Sequence, residues 1–228
     1  MEISSAFSTP LAFARMESPE DLNAELRSLF LACEAEGSRF ANPEPYTHRN
    51  EALFESNFTL FDWPQPAIAR LRDFCWASLY RMIGELNQYD LETLRRLHIA
   101  HESWFHITRR GGYFGVHNHP LHSWSGVYCV CQEGDDPASD SGKLTFINPH
   151  AMSTMFIDMA MHRMKPPFSM GNLSIRLAPG QLVLFPSWLL HEVTPFEPRQ
   201  DGLRITVAFN ARFRMEGVAA QRSPFSTP

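Results

Sequence analysis

The stretch that decides the fold is Leu203-Arg204-Ile205-Thr206-Val207-Ala208-Phe209-Asn210, in which polar or small residues alternate with large apolar ones. Successive side chains of a strand point to opposite faces, so Arg204 and Thr206 share one face and the large apolar residues share the other. A guanidinium inside a sheet is costly unless it meets an anion, and it can bind a carboxylate through two hydrogen bonds. Taken alone, the stretch favours a surface strand in which Arg204 pairs with a nearby Glu or Asp.

Other short β-type stretches precede this one and are separated by Gly, Pro, Asn and Asp. Their spacing predicts an antiparallel sandwich or barrel rather than a parallel sheet. The predicted strands are Ile99–Thr108, Trp124–Cys131, Leu144–Ile147, Leu173–Leu177, Leu182–Phe185 and Leu203–Phe213.

The N-terminal part has a different pattern. Residues Ala6–Arg15 alternate loosely and predict an opening strand. A helix is expected after Ser18, which would cap it, with Pro19 in the first turn. Its predicted buried stripe is Leu22, Leu26, Phe30 and Cys33. A second helix is expected from about Pro66 to Leu86.

We therefore predict one domain over 1–228, mainly β (α+β), with N-terminal helices that pack against a β core. Within it, residues 1–96 would form the strand and helices, 97–214 the β core and 215–228 a C-terminal tail. Two long loops are expected, at Asp135–Gly142 and Ala151–Asn172. Loops of this length often frame a binding site.

Charge and composition narrow the class of protein. The 228 residues carry a net charge of −5 with no cluster of Lys or Arg, which disfavours nucleic-acid and membrane-surface partners. No secretory signal and no run of apolar residues long enough to span a membrane is visible. The four cysteines lack a metal-binding pattern, and Cys129 and Cys131 would share one face of a strand. Reduced thiols in a cytoplasmic protein are the expectation.

Histidines provide the first chemical signal, since six of the ten lie between His98 and His122. In His117-Asn118-His119 the two imidazoles would face the same way on an extended segment and could share a metal ion. A solvated loop with two surface histidines explains the same pattern. His191 follows an apolar strand and two turns, and by itself it could simply cap a hairpin.

The order of these signals, with Arg204 coming 13 residues after His191, is typical of a double-stranded β-helix oxygenase. The sequence resembles the iron(II)/2-oxoglutarate-dependent oxygenase superfamily, and within it a little-characterised group from bacteria and phages. Five stretches carry the resemblance, and it is specific from about Trp104 to Asn210. They are His117–Pro120, Ser125–Tyr128, Leu144–Phe146 with Asn148-Pro149, Leu184–Trp188 with His191–Val193, and Arg204–Thr206 with Phe209-Asn210.

The resemblance implies a jelly-roll or cupin-like core and a role for each matching residue. His117, His119 and His191 would bind Fe(II), although most of the superfamily has an acidic residue at the position of His119. Arg204 and Thr206 would hold the distal carboxylate of 2-oxoglutarate. Tyr128 would bond a carboxylate of the same molecule.

The implied activity is a 2-oxoglutarate-dependent dioxygenase that hydroxylates a small molecule, an amino acid or a peptide, with ascorbate as the reductant in vitro. Trp104 and His106 would share a strand face near the site, and His122 is a weaker candidate for the third ligand. Two other classes stay open. One is a 2-oxoglutarate-independent three-histidine enzyme of the cupin type, and the other is a non-catalytic β-sandwich that binds a ligand or a protein. The oligomeric state, a homodimer included, is not readable from the sequence.

Overall fold

A computed structural model describes residues 1–134, 136, 138–150 and 155–216. Three α-helices and ten strands form the architecture within these ranges. The helices are α1 (Glu20–Ala35), α2 (Pro66–Asn87) and α3 (Leu91–Arg95). The strands are β1 (Ala12–Arg15), β2 (Leu53–Glu55), β3 (Leu97–Thr108), β4 (Phe114–His117), β5 (Trp124–Gln132), β6 (Leu144–Phe146), β7 (Leu173–Ile175), β8 (Gln181–Pro186), β9 (His191–Val193) and β10 (Arg204–Met215).

The strands form two antiparallel sheets. The larger has six strands in the order β1-β8-β5-β10-β3-β2, and the smaller has four in the order β4-β9-β6-β7. β10 lies in the middle of the large sheet and pairs with β3 on one side and β5 on the other. The strand predicted around Arg204 is therefore the centre of the fold, and its inner face looks toward the small sheet.

Alternation along these strands builds two separate cores. The outer face of the large sheet packs against α1 and α2, and this core includes Phe105, Ile205, Val207 and Phe209. The predicted stripe of α1 is buried in it. A smaller core lies between the two sheets and contains the alternate residues, among them Val183 and Phe185 of β8 and Phe146 of β6. Burial of both faces makes the register of the large sheet strict, because a one-residue slip would exchange the two cores.

Several predicted boundaries hold, and α2 and the six predicted core strands are all present. The opening strand is shorter than expected, four residues instead of ten. Ser18 does not cap α1, because its backbone takes a left-handed conformation with a φ of 46° and Pro19 stands at the N-cap position without a side-chain hydrogen bond. The short strands β2, β4 and β9 were not predicted, since three or four residues are too few to show a period.

Cys129 and Cys131 correct another expectation. A shift in the pairing of β5 with β10 between Ile205 and Thr206 inserts one extra residue into β5. As a result, Cys129 packs between the sheets while Cys131 packs on the helix side. Neither cysteine forms a disulfide, and the same holds for Cys33 and Cys75.

Parts of three predicted segments lie outside the described residues. These are residues 217–228 of the predicted tail and residues 135, 137 and 151–154 of the two predicted loops. None of the described helices combines the length and the apolar character that a bilayer crossing demands.

Candidate metal centre and adjoining cavities

Two short strands of the small sheet bring His117 and His191 together. His117 is the last residue of β4, His191 is the first of β9, and the two residues are direct partners in the antiparallel pair. Their rings lie 4.2 Å apart between centroids. The ring Nδ1 of His117 is 2.8 Å from the carbonyl oxygen of Gly115, and that of His191 is 2.8 Å from the carbonyl oxygen of Leu189. Each Nδ1 therefore carries the proton, and each Nε2 presents a lone pair.

His119 completes the cluster from just beyond the end of β4. Its backbone N–H donates to the carbonyl oxygen of Ser187, 2.9 Å away, which fixes the chain after β4 against the end of β8. Its ring lies 4.9 Å from that of His117 and 5.1 Å from that of His191, centroid to centroid. One nitrogen atom from each of the three side chains falls within 4.8 Å of the other two. The three imidazoles thus form a group that can hold a transition-metal ion.

The environment keeps these imidazoles neutral at physiological pH. Burial, and then the proximity of His117 and His191, lowers the pKa of His119 to about 2. Burial, and then the proximity of His117, lowers the pKa of His191 to about 3. Burial also lowers the pKa of His117. Neutral imidazole is the form that binds a metal ion, so the unliganded protein already holds all three side chains in the required state.

Arg204 and Thr206 lie beside the histidines on the inner face of β10, as the alternation predicts. Both are buried, and together with Trp104, Phe185 and the three histidines they line a narrow inner cavity of about 30 Å³. The Nε–H of Arg204 donates to the carbonyl oxygen of Gly142, 3.1 Å away, and Nη1 lies 3.5 Å from the hydroxyl of Thr206. These contacts hold the guanidinium in the wall of the inner cavity.

Gly142 has two reasons to be glycine at this place. Its φ of 60° lies in the left-handed region. A Cβ there would lie 3.0 Å from Phe196 and 3.3 Å from the Cδ of Arg204. The residue thus shapes the position of Arg204, although nothing in the sequence singled it out.

Tyr128 is not brought to the site. Because it stands between Val127 and Cys129 on β5, its side chain points to the helix side of the large sheet, where it is fully buried. Its hydroxyl donates to Oδ1 of Asn23 on α1, 2.9 Å away. The prediction that Tyr128 contacts 2-oxoglutarate is therefore wrong, since the alternation of β5 sends this side chain away from the cavities.

A wider outer cavity of about 620 Å³ opens on the other side of the histidines. It shares His117, His119, Trp104 and Phe114 with the inner cavity, so the histidine cluster stands at the boundary between the two. Other side chains that line it are Asn42, Glu44, Tyr46, Glu55, Asn57, Phe58, Glu102, His122 and Asn210. A small molecule or an extended side chain fits a cavity of this size.

A buried polar group supports one wall of the outer cavity. The Nε2 atom of His106 lies 3.0 Å from Oε1 of Glu55 and 3.1 Å from the indole nitrogen of Trp104. The other carboxylate oxygen of Glu55 accepts hydrogen bonds from Asn42 and Arg49. Burial by itself raises the pKa of Glu55, but the bond to His106 and those from Asn42 and Arg49 outweigh it and lower the pKa to about 2. Glu55 is thus an ionised, structural carboxylate.

His106 and Trp104 share a strand face beside the site, as predicted, whereas His122 does not join the histidine cluster. The Nε2 atom of His122 lies 3.9 Å from a carboxylate oxygen of Glu102, and the side chain lines the outer cavity. Sequence reasoning missed Glu55 and gave Asn210 no role. For Asn210 the signal was present, because it occupies the same inward register as Arg204 and Thr206.

Three comparisons with known proteins bear on this site. Residues 102–210 match the model of a family described as "Putative 2OG-Fe(II) oxygenase". That range contains every residue of the histidine cluster and both Arg204 and Thr206. No curated protein is similar enough in sequence to count as a relative.

Solved structures of low sequence identity share the fold. A prolyl-4-hydroxylase from Pseudomonas putida is 19% identical, with a TM-score of 0.59 over 92% of this chain and 94% of its own. A prolyl hydroxylase from Trichoplax adhaerens, solved with a peptide of hypoxia inducible factor, is 14% identical. Its TM-score is 0.59, and the match covers 88% of this chain and 82% of its own. HygX from Streptomyces hygroscopicus, solved with nickel and 2-oxoglutarate, is 11% identical. Its TM-score is 0.51, and the match covers 90% of this chain and 83% of its own. The predicted jelly-roll core with flanking helices is thereby confirmed.

Proposed function

We propose that this chain, whose core belongs to the iron(II)- and 2-oxoglutarate-dependent oxygenases, is a hydroxylase acting on an unactivated C–H bond of a small molecule or an amino-acid side chain. The observation that carries the proposal is the position of the histidine cluster, between a narrow inner cavity lined by Arg204 and a wider outer cavity of about 620 Å³. Such an arrangement separates a co-substrate from a substrate on two sides of one metal.

The family needs Fe(II) and 2-oxoglutarate, and the residues present fit both. His117, His119 and His191 would bind the metal through neutral nitrogen atoms. When bound, Fe(II) and 2-oxoglutarate supply the activation of dioxygen and the oxidising power, with succinate and carbon dioxide as products. The main-chain carbonyls of Gly115 and Leu189 keep two of the ligand rings in the correct tautomer and orientation.

Arg204 and Thr206 would bind the distal carboxylate of 2-oxoglutarate. A guanidinium can donate two parallel hydrogen bonds to a carboxylate, and the hydroxyl can add a third. Buried between the two sheets, these bonds are shielded from water and are stronger than at the surface. Both residues line the narrow inner cavity beside the histidine cluster.

Hydroxylation, rather than halogenation, is the outcome we propose. Halogenation requires a ligand position left open where most of the superfamily has a carboxylate. In this chain His119 stands at that position, and its ring is packed 5.6 Å from the indole of Trp104. A side chain held in this way keeps the position filled by a protein ligand.

The test is the release of succinate from labelled 2-oxoglutarate by the Fe(II)-loaded protein with ascorbate, first without added substrate. We expect slow release of succinate by the unmodified protein. In Arg204→Met we expect the affinity for 2-oxoglutarate to fall by roughly tenfold or more, while the metal content stays unchanged. Arg212→Met is the matched control, because Arg212 lies on the same strand but is exposed. Absence of release by fully metal-loaded protein contradicts the proposal and favours a three-histidine enzyme that does not use 2-oxoglutarate.

A further inference from the structure

Asn210 lies on the inner face of β10, but the proposed reaction assigns no role to it. Arg204, Thr206, Ala208 and Asn210 follow one another along this face, and Asn210 is only 3% exposed. It is the cross-strand partner of Ser125 on β5 and of Glu102 on β3. Its side chain lines the outer cavity and not the inner one.

A chain of hydrogen bonds fixes the orientation of the Asn210 amide. The hydroxyls of Ser187 and Ser125 are 2.8 Å apart, and the Ser125 hydroxyl is 2.8 Å from Oδ1 of Asn210. Both serines are fully buried, so each hydroxyl proton needs an acceptor inside the protein. Both protons have an acceptor if Ser187 donates to Ser125 and Ser125 donates to Oδ1 of Asn210. With Oδ1 bound to Ser125, the NH2 group of the amide points toward the outer cavity.

That NH2 group has no hydrogen-bond partner among the residues that the structure describes. The amide nitrogen is not one of the fully buried atoms that lack a partner, so it is accessible from the outer cavity and can donate to a molecule bound there. The group points into a cavity that a ligand can enter. What it requires of that ligand is an acceptor atom.

The position of Asn210 along β10 decides which ligand this is. Six residues of strand place its Cα about 20 Å from that of Arg204. The histidine cluster lies between the two, at the boundary of the inner and outer cavities. A molecule held by Arg204 at one end and bound to the metal at the other cannot reach Asn210. The acceptor therefore belongs to the substrate.

The charges of the outer cavity restrict the acceptor further. Three carboxylates line it, those of Glu44, Glu55 and Glu102, and no Lys or Arg is among its described lining residues. Arg49 pairs with Glu55 and so balances only one of the three. An anionic acceptor such as a carboxylate or a phosphate would be repelled by the other two.

We propose that Asn210 determines substrate specificity by donating a hydrogen bond to an uncharged oxygen of the substrate, a carbonyl or a hydroxyl, and thereby sets which C–H bond faces the metal. The inference rests on the proposed function, since it assigns the outer cavity to the substrate. It also places Ser125 and Ser187 behind Asn210 as the residues that hold its amide in position.

The inference is testable without knowledge of the natural substrate. The protein is loaded with Mn(II) and N-oxalylglycine, which occupy the metal and co-substrate sites without turnover. Its affinity is then measured by calorimetry for a panel of N-acetyl amino-acid methylamides, the corresponding free acids, and cyclitols. We expect members with uncharged oxygens to bind, and the free acids to bind at least roughly tenfold more weakly than their amides.

A matched pair of probes isolates the hydrogen bond itself. For the methylamide that binds best, the thioamide keeps the shape but is a weaker acceptor, and for a cyclitol the deoxy analogue lacks the hydroxyl. We expect the unmodified protein to prefer the oxygen compound by roughly tenfold or more, and Asn210→Leu to reduce that preference below about threefold. Asn210→Thr keeps an acceptor for Ser125 but removes the amide donor, so it should show the same loss if the leucine variant does not fold.

Asn57→Leu is the control, because Asn57 lines the same cavity and its Oδ1 is bound by Thr59. It should keep the preference for oxygen. The inference is overturned if no panel member binds, if the free acids bind as well as the amides, or if the preference survives in both Asn210 variants. Binding is measured without turnover, so a protein that shows the expected preference but releases no succinate contradicts the proposed reaction and not the role of Asn210.

Discussion

His117 and His191 are direct partners across the antiparallel pair of β4 and β9, and their rings lie 4.2 Å apart although they are distant in the chain. The pairing of two very short strands thus sets the separation of two proposed metal ligands. Metal binding and the integrity of the small sheet are consequently coupled, since either one stabilises the other.

His119→Asp tests the unusual third ligand. The change replaces a neutral ligand by an anionic one, so the affinity for Mn(II) or Fe(II) should rise, by roughly tenfold, because these ions favour oxygen ligands. Metal content after reconstitution and the dissociation constant for Mn(II) provide the measurement.

His122→Ala serves as the comparison, because His122 lies near His119 but outside the cluster. We expect it to bind metal as the unmodified protein does. If His122→Ala loses the metal while His119→Asp also fails to bind it, the ligand set assigned to the centre is wrong.

Tyr128→Phe tests the correction made by the structure. The Tyr128 hydroxyl donates to Asn23, so its removal leaves a buried amide oxygen without its partner and should lower the free energy of unfolding by about 1–3 kcal/mol. The affinity for 2-oxoglutarate should stay within about twofold of the unmodified protein. Urea unfolding and calorimetric titration measure the two effects. A large loss of affinity with unchanged stability would restore Tyr128 to the site.

Glu55→Gln should change the response of stability to acid. The pKa of Glu55 is lowered in the folded protein to about 2, so the carboxylate stabilises the fold above the ordinary value of 4.5, and this contribution is lost as the pH falls from 4.5 toward 2. It amounts to about 3 kcal/mol at neutral pH. The glutamine variant should be less stable at pH 7, and the difference between the two proteins should shrink at pH 3.

The comparison is made by urea unfolding at several pH values. The three imidazoles of the cluster also have lowered pKa values and destabilise the metal-free fold below their ordinary value of 6.5. That loss is common to both proteins, which is why the difference between them is the informative quantity. A difference that stays constant between pH 7 and pH 3 would show that Glu55 is not ionised in the fold.

Gly126→Ala tests the close approach of β5 to β10. A Cβ at this position would lie 2.3 Å from the Phe209 ring and 3.0 Å from Leu184, both in the core beneath the helices. We expect a loss of about 1–3 kcal/mol in the free energy of unfolding, because a filled core accepts no extra methyl group. Gly171→Ala is the control, since nothing lies within 4 Å of its Cβ position. Equal stability of the two variants would contradict the packing described for this sheet.

Alternation along β10 could be predicted from the sequence, and so could the placement of Arg204 and Thr206 on one face, because the period of a strand is local. The histidine pattern and its order carried the resemblance to the oxygenase superfamily, whose model matches residues 102–210. The resemblance also suggested a role for Tyr128, which the structure overturned. The extra residue in β5, and the face of the large sheet to which each β5 side chain points, depend on the pairing of β5 with β10. A local sequence pattern does not contain that information.

By itself, then, the sequence determined the elements that are long enough to show a period and the residues that are able to bind a metal or a carboxylate. It also determined the resemblance to the oxygenase superfamily that connects these motifs. Only the tertiary structure decided which of them meet. The strands that bring His117 beside His191 have four and three residues, too few for a pattern, and they form because the small sheet packs over the large one. The donor of Asn210 likewise acquires its direction from two serines, one on a neighbouring strand and one just beyond the end of another.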